Sequence, residues 1–421
     1  MFFGPSRRAE MGLANLAAGR YGDRAHRSIF LLILRLGPWS REGHALVASR
    51  WVDKLYDWLA KLPSPDAEMI LSAGLERAEP PYFERLVELL FERASEAAWA
   101  ELIANYPRLS PQARARLRAD GQQMRAGLAR VLRGGSPLGR CNALQALRDD
   151  PAPALAYLLP DVLRTSSGDV RRMAAETLRW LAEFVLDFAK PTEQAGPARA
   201  EPENRSRGES RSEAVARQRA DRASVARAVC EALRGFESHY RVEVVEAALW
   251  LTRDLGEDLW SVLANRRLPT AHVVSANLKA WDGPRLARFL LEALAQRSWR
   301  ASAREQLMRW QGPERLAALL RNSDLLERPD FREGLNTLGR PGWFFGLNDL
   351  RDLPPELRAR APEWLVLLGY RPEQKRALLA HWSEVAFDEL RIAAEAAARA
   401  MAQGPECWAV DASTLPREDG A

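Results

Sequence analysis

The stretch GDVRRMAAETLRWL, Gly168 to Leu181, decides how the chain is read. Two arginines open it, small residues follow, and Leu178 and Trp180 close it, an order that suits a helix with an apolar stripe at 3.6-residue spacing. Taken alone it has the look of a basic site with an aromatic lid. Its neighbours carry the same order. With Leu178 as a marker, GRCNALQAL ends at Leu147, 31 residues earlier, and RVEVVEAAL, HVVSANL, SAREQL, FREGLNTL and WLVLLG bring Leu249, Leu278, Leu307, Leu338 and Leu368 to the same place. RIAAEAAA then reaches Ala398, so the steps after Leu249 are 29, 29, 31, 30 and 30. A period near 30 residues predicts stacked helical units.

Proline keeps the same beat. Pro151, Pro284, Pro313, Pro341 and Pro372 follow the markers and open the next helix, and WDGPRLARFLLEAL and WQGPERLAALL are recognisable copies. Ser64-Pro65, Ser110-Pro111 and Ser136-Pro137 place a hydroxyl at the N-cap and proline at the first helical position, where its missing N–H is harmless. Strand signals are nearly absent. Each unit is therefore a first helix after proline, a short turn and a second helix with small residues. Neither helix buries its apolar face alone, so units must stack.

Val170-Arg171-Arg172-Met173-Ala174-Ala175-Glu176-Thr177-Leu178 and Glu389-Leu390-Arg391-Ile392-Ala393-Ala394 carry a resemblance to the HEAT-repeat family, its short bacterial type in particular. The resemblance covers residues 113 to 402. It implies an all-α fold, a right-handed alpha-solenoid of stacked antiparallel helix pairs (a HEAT/armadillo-like superhelix), whose second helices line a concave face. DRAHRSIFLLIL, Asp23 to Leu34, extends the expectation to degenerate repeats within 1–112.

One step is broken, because Leu178 to Leu249 spans 71 residues. The excess is mainly 190–222, rich in Arg, Glu, Ser, Pro and Gly and poor in apolar side chains, which predicts a disordered or partly helical insertion. Ser206, Ser210 and Ser212 are candidate modification sites there. Repeats resume over 223–402, and 403–421 reads as a loose tail.

Composition narrows the function classes. The 421 residues carry 47% hydrophobic and 28% charged side chains, a globular balance. The longest apolar run, Ile29 to Leu34, is far shorter than the roughly 20 residues of a membrane span. No secretory leader is visible in MFFGPSRRAEMG, so a cytoplasmic location is expected. Cys141, Cys230 and Cys407 lie far apart, are expected to be reduced, and form no metal-ligand motif; the first two are expected to be buried. The net charge of +5 is a small excess for the length.

Candidate binding residues fall on the second helices. Seven places before the marker stand Arg140, Arg171, Arg300 and Arg391, while Arg241, His272, Arg332 and Arg360 fall within one place of that column. Guanidinium forks in a stripe hold phosphates or carboxylates, or else bond the carbonyls and acids of neighbouring repeats. Arg172, beside the column, is less constrained. Trp180, Trp250, Trp281 and Trp310 follow their markers closely, placed to stack bases or, more simply, to pack between repeats. Phosphate-loop, dinucleotide, nucleophile-elbow and zinc-protease motifs are missing. No cofactor or metal is expected, His239 and Glu243 being too few ligands for zinc. The expected function is a non-enzymatic, monomeric scaffold or adaptor binding a protein partner. Nucleic-acid binding through the arginine column is the alternative, and an enzyme such as the HEAT-like alkylpurine DNA glycosylases, with Asp282 beside Trp281, or the phycobilin lyases, is a further one.

Overall fold

The computed structural model describes residues 59, 67–68, 71–72, 74–75, 82–187, 211–281, 283–310, 312–338, 350–384 and 387–403. The expectations for Asp23 to Leu34, Ser64-Pro65, residues 190–210, Asp282, Pro341, Cys407 and the tail beyond Gln403 lie outside them. Every regular element among the described residues is helical. The chain divides into two compact units, 1–247 and 248–421.

In the first unit the order is α1 (Tyr82–Arg93), α2 (Glu96–Ala104), α3 (Pro111–Ala119), α4 (Gly121–Gly134), α5 (Pro137–Asp149), α6 (Leu159–Thr165), α7 (Gly168–Asp187) and α8 (Arg211–Arg234). Their starts follow the sequence signals. Ser95, Ser110 and Ser136 accept hydrogen bonds from the N–H of Ala98, Ala113 and Gly139 at 3.0, 3.2 and 3.1 Å, and such caps contribute about 1 kcal/mol each. Gly168 opens α7 at φ +53, a left-handed conformation that glycine adopts without steric cost.

α2 packs on α4 and α5, α5 on α7, and α7 on α6 and α8. The small residues let these helices approach: Ala143, Ala146, Ala174 and Ala175 are buried with Leu147 and Leu178. Since α2 lies on both α4 and α5, residue 112 is no packing boundary. The first half of α8 falls within the stretch expected to be a disordered or partly helical insertion. Residues 211–222 are helical. Their alanines, arginines, Gln218 and Glu213 are strong helix formers, and no Gly or Pro interrupts them, so poor apolar content did not prevent a helix that is anchored from Val225 onward.

The division between the units falls within α9 (Val242–Trp250). The second unit continues with α10 (Thr252–Leu255), α11 (Glu257–Ala264), α12 (Pro269–Asn277), α13 (Ala287–Ala295), α14 (Arg300–Leu307), α15 (Pro313–Leu320), α16 (Pro329–Asn336), α17 (Pro355–Arg358), α18 (Ala361–Leu367), α19 (Pro372–Ser383) and α20 (Asp388–Gln403). α13 packs on α14, α15 and α16, α16 on α18, and α20 on α17, α18 and α19. On α16, Gly334 is so close to α13 that a Cβ would stand 2.6 Å from the Leu294 carbonyl oxygen. Leu249, Leu278, Leu307, Leu338 and Leu368 are all buried, but the last marker, Ala398, is exposed. In α20 the buried pair is Leu390 and Ala394, the counterparts of Val170 and Ala174 in α7, so the register is kept but burial ends one turn before the marker.

Candidate interaction surface

The arginine column sits in the first turns of the second helices, each just after the C-terminus of the helix before it. Those C-termini carry carbonyls without intrahelical donors and the negative end of the helix dipole, so a guanidinium in reach bonds them. Arg171 Nε donates to the Ser166 carbonyl at 2.8 Å. Arg140 Nη1 donates to the Ser166 hydroxyl at 3.1 Å and its Nη2 to the Arg133 carbonyl at 3.0 Å. Ser166 caps α6, so two consecutive column arginines converge on one helix end. Arg300 Nε donates to the Leu294 carbonyl at 2.8 Å and Nη1 reaches Glu333 at 3.0 Å. Arg332 Nε donates to the Leu326 carbonyl. Off the column, Arg114 Nη2 donates to the Pro107 carbonyl at 2.7 Å.

Two further members, Arg241 and Arg391, are ion-paired. Arg241 meets Glu243 at 2.7 Å, and Arg391 lies 3.0 Å from Asp388 and 3.6 Å from Glu395. Arg172, expected to be the less constrained one, bonds Asp169 at 3.1 Å and Glu176 at 3.0 Å. The hydrogen bonds it donates to Asp169 and then Glu176 raise its proton affinity further. Glu176 also accepts from Arg148 Nη2 at 3.0 Å, linking α5 to α7. Burial pushes this carboxyl up, but the bonds from Arg148 and Arg172 outweigh it and the net direction is down. His272 and Arg360 are exposed.

The tryptophans divide. Trp310 is 1% exposed, a core side chain, with the Arg315 guanidinium 5.9 Å from its ring. Trp180 is half-buried and stacks on Phe184 at 5.6 Å with an interplanar angle of 23°. Trp250 is half-buried under Arg285, 5.2 Å from the ring centroid. Trp281 is half-buried as well. Cys230 is buried, but Cys141 is only half-buried, against expectation.

Two carboxylates escaped the sequence reading. Burial pushes Asp150 and Asp221 upward; Arg118 and Arg125 pull the first back, Arg125 and Arg217 the second. Asp221 lies on α8 and Asp150 caps the C-terminus of α5. Nearby, burial and then Asp149 raise Tyr106 to about 12. Among the described residues no group of three His, Cys, Asp or Glu could hold a metal ion, and no helix is long and apolar enough to cross a membrane. No protein-family model, no curated protein and no solved structure matches the chain.

Proposed function

We propose that this chain is a non-enzymatic, HEAT-like scaffold or adaptor, its helix pairs stacked as a right-handed alpha-solenoid that offers a concave face to a protein partner in the cytoplasm. The observation that carries the proposal is the commitment of the arginine column. Arg140, Arg171, Arg300 and Arg332 hold backbone carbonyls, and Arg172, Arg241 and Arg391 hold carboxylates. A polyanion would have to displace those bonds, whereas a protein partner meets guanidinium groups already held in place and a half-buried aromatic pair, Trp180 and Phe184, on α7. Aromatic area beside arginine suits protein interfaces.

The experiment is affinity capture of the tagged chain from its native organism at two salt concentrations, with mass spectrometry of what is retained. A stoichiometric protein partner held at both concentrations is the expected result. Retention of nucleic acid that falls steeply with salt and is abolished by Arg172→Ala would overturn the proposal in favour of a phosphate-binding face.

A further inference from the structure

Between α8 and α9 a histidine does what arginine does elsewhere in the column. His239 is 5% exposed. Its Nε2 lies 3.0 Å from the carbonyl of Ala232, in the last turns of α8, and its Nδ1 accepts from the backbone N–H of Arg241 at 3.0 Å. The Ala232 carbonyl is seven residues back, the same reach by which Arg140 takes Arg133 and Arg114 takes Pro107. A backbone N–H only donates and a carbonyl only accepts, so these two bonds together require the neutral ring with its proton on Nε2.

The turn it holds is strained. Tyr240 adopts φ +52, a left-handed conformation disfavoured for a bulky side chain and kept only where the surroundings fix it. Tyr240 is 61% exposed and its ring sits edge-on to Phe236 at 5.6 Å, while the His239 ring meets the same phenyl at 5.5 Å. The Tyr240 N–H donates to the Phe236 carbonyl at 2.8 Å. His239 therefore ties both ends of the turn, Ala232 before it and Arg241 after it.

We propose that His239 is an acid-released latch: a proton on Nδ1 would face the Arg241 N–H donor to donor, so acidification opens the 235–241 turn and lets Tyr240 relax. The charged groups facing the ring are Arg171 from α7 and Arg241 and Glu243 from the start of α9, while α8 presents the Ala232 carbonyl. Glu243 is itself held by Arg241 at 2.7 Å. Burial foremost, with the two arginines, lowers the ring's proton affinity against the opposing pull of Ala232 and Glu243. The sign follows. The latch is fully closed above the ordinary histidine value of about 6.5. Below it the open turn takes the proton in preference, and the closed-to-open ratio falls by up to roughly tenfold per pH unit until the closed ring itself titrates.

The test is hydrogen exchange of the full chain between about pH 7.5 and about pH 5.5, corrected for the intrinsic pH dependence of exchange. Peptides covering 232–245 should lose protection on acidification, while peptides covering 290–302, where Arg300 bonds the Leu294 carbonyl, should not. His239→Gln, which keeps a donor and an acceptor and does not titrate, should remove the difference. Equal pH response in both regions of the wild-type protein, or an unchanged response in His239→Gln, would overturn the proposal; the wild-type comparison stands even if the variant fails to fold.

Discussion

α7 carries DVRRMAAETL in its first half and α20 opens with DELRIAAEAA, yet α7 has buried residues spaced from Val170 to Val185 while the buried residues of α20 are Leu390 and Ala394. The arginines at matching positions differ as well. Arg171 reaches back to the Ser166 carbonyl of the preceding helix end, whereas Arg391 turns to Asp388 and Glu395 on its own helix. A shared motif thus specifies a helix and which of its first residues meet a neighbour. How far burial continues, and what the arginine bonds, depends on the elements around it: α7 has α5, α6 and α8 against it along its length.

The largest expected effect separates the two markers. Leu178→Ala removes a fully buried side chain and should cost about 2–5 kcal/mol in urea unfolding. Ala398→Ser, on the exposed side of α20, should change stability by less than about 0.5 kcal/mol. Similar losses at both positions would show that α20 is packed like α7. Next in size is overpacking: Ala174→Leu should cost about 1–3 kcal/mol, since Ala174 is fully buried, while Ala396→Leu should be tolerated, Ala396 being exposed.

A smaller effect tests acid dependence. The Asp221 carboxyl is raised by burial, so the folded state binds its proton more tightly than the unfolded state does, and ionisation at neutral pH opposes folding. Asp221→Asn should raise the unfolding midpoint at neutral pH, and the gain should vanish as pH falls through the carboxylate range. A loss of stability at neutral pH would mean that Asp221 is a favourable ion-pair partner of Arg125 or Arg217.

Much of this organisation was legible beforehand because it rests on local chemistry. Ser110-Pro111 and Ser136-Pro137 are helix starts whatever surrounds them, and leucine beside alanine at fixed spacing identifies the buried face. The arginine column was legible as a column, though its targets were not, since Ser166 and Leu294 contribute backbone carbonyls, atoms every residue has. Residues 211–222 take the helical form of the two expected for the insertion, which local helix propensity favours despite few apolar side chains. His239 is buried against Phe236 and faces Arg171 of α7, surroundings that residue spacing does not reveal.

The proposal stands most directly on what the column arginines do. The decisive measurement is the Arg171→Met, Arg300→Met double variant, followed by urea unfolding and by binding to single-stranded DNA at low salt. The expected result is a loss of roughly 1–3 kcal/mol for each charge-assisted bond removed, with DNA retention no different from the parent chain. Unchanged stability together with abolished, steeply salt-dependent DNA binding would contradict it.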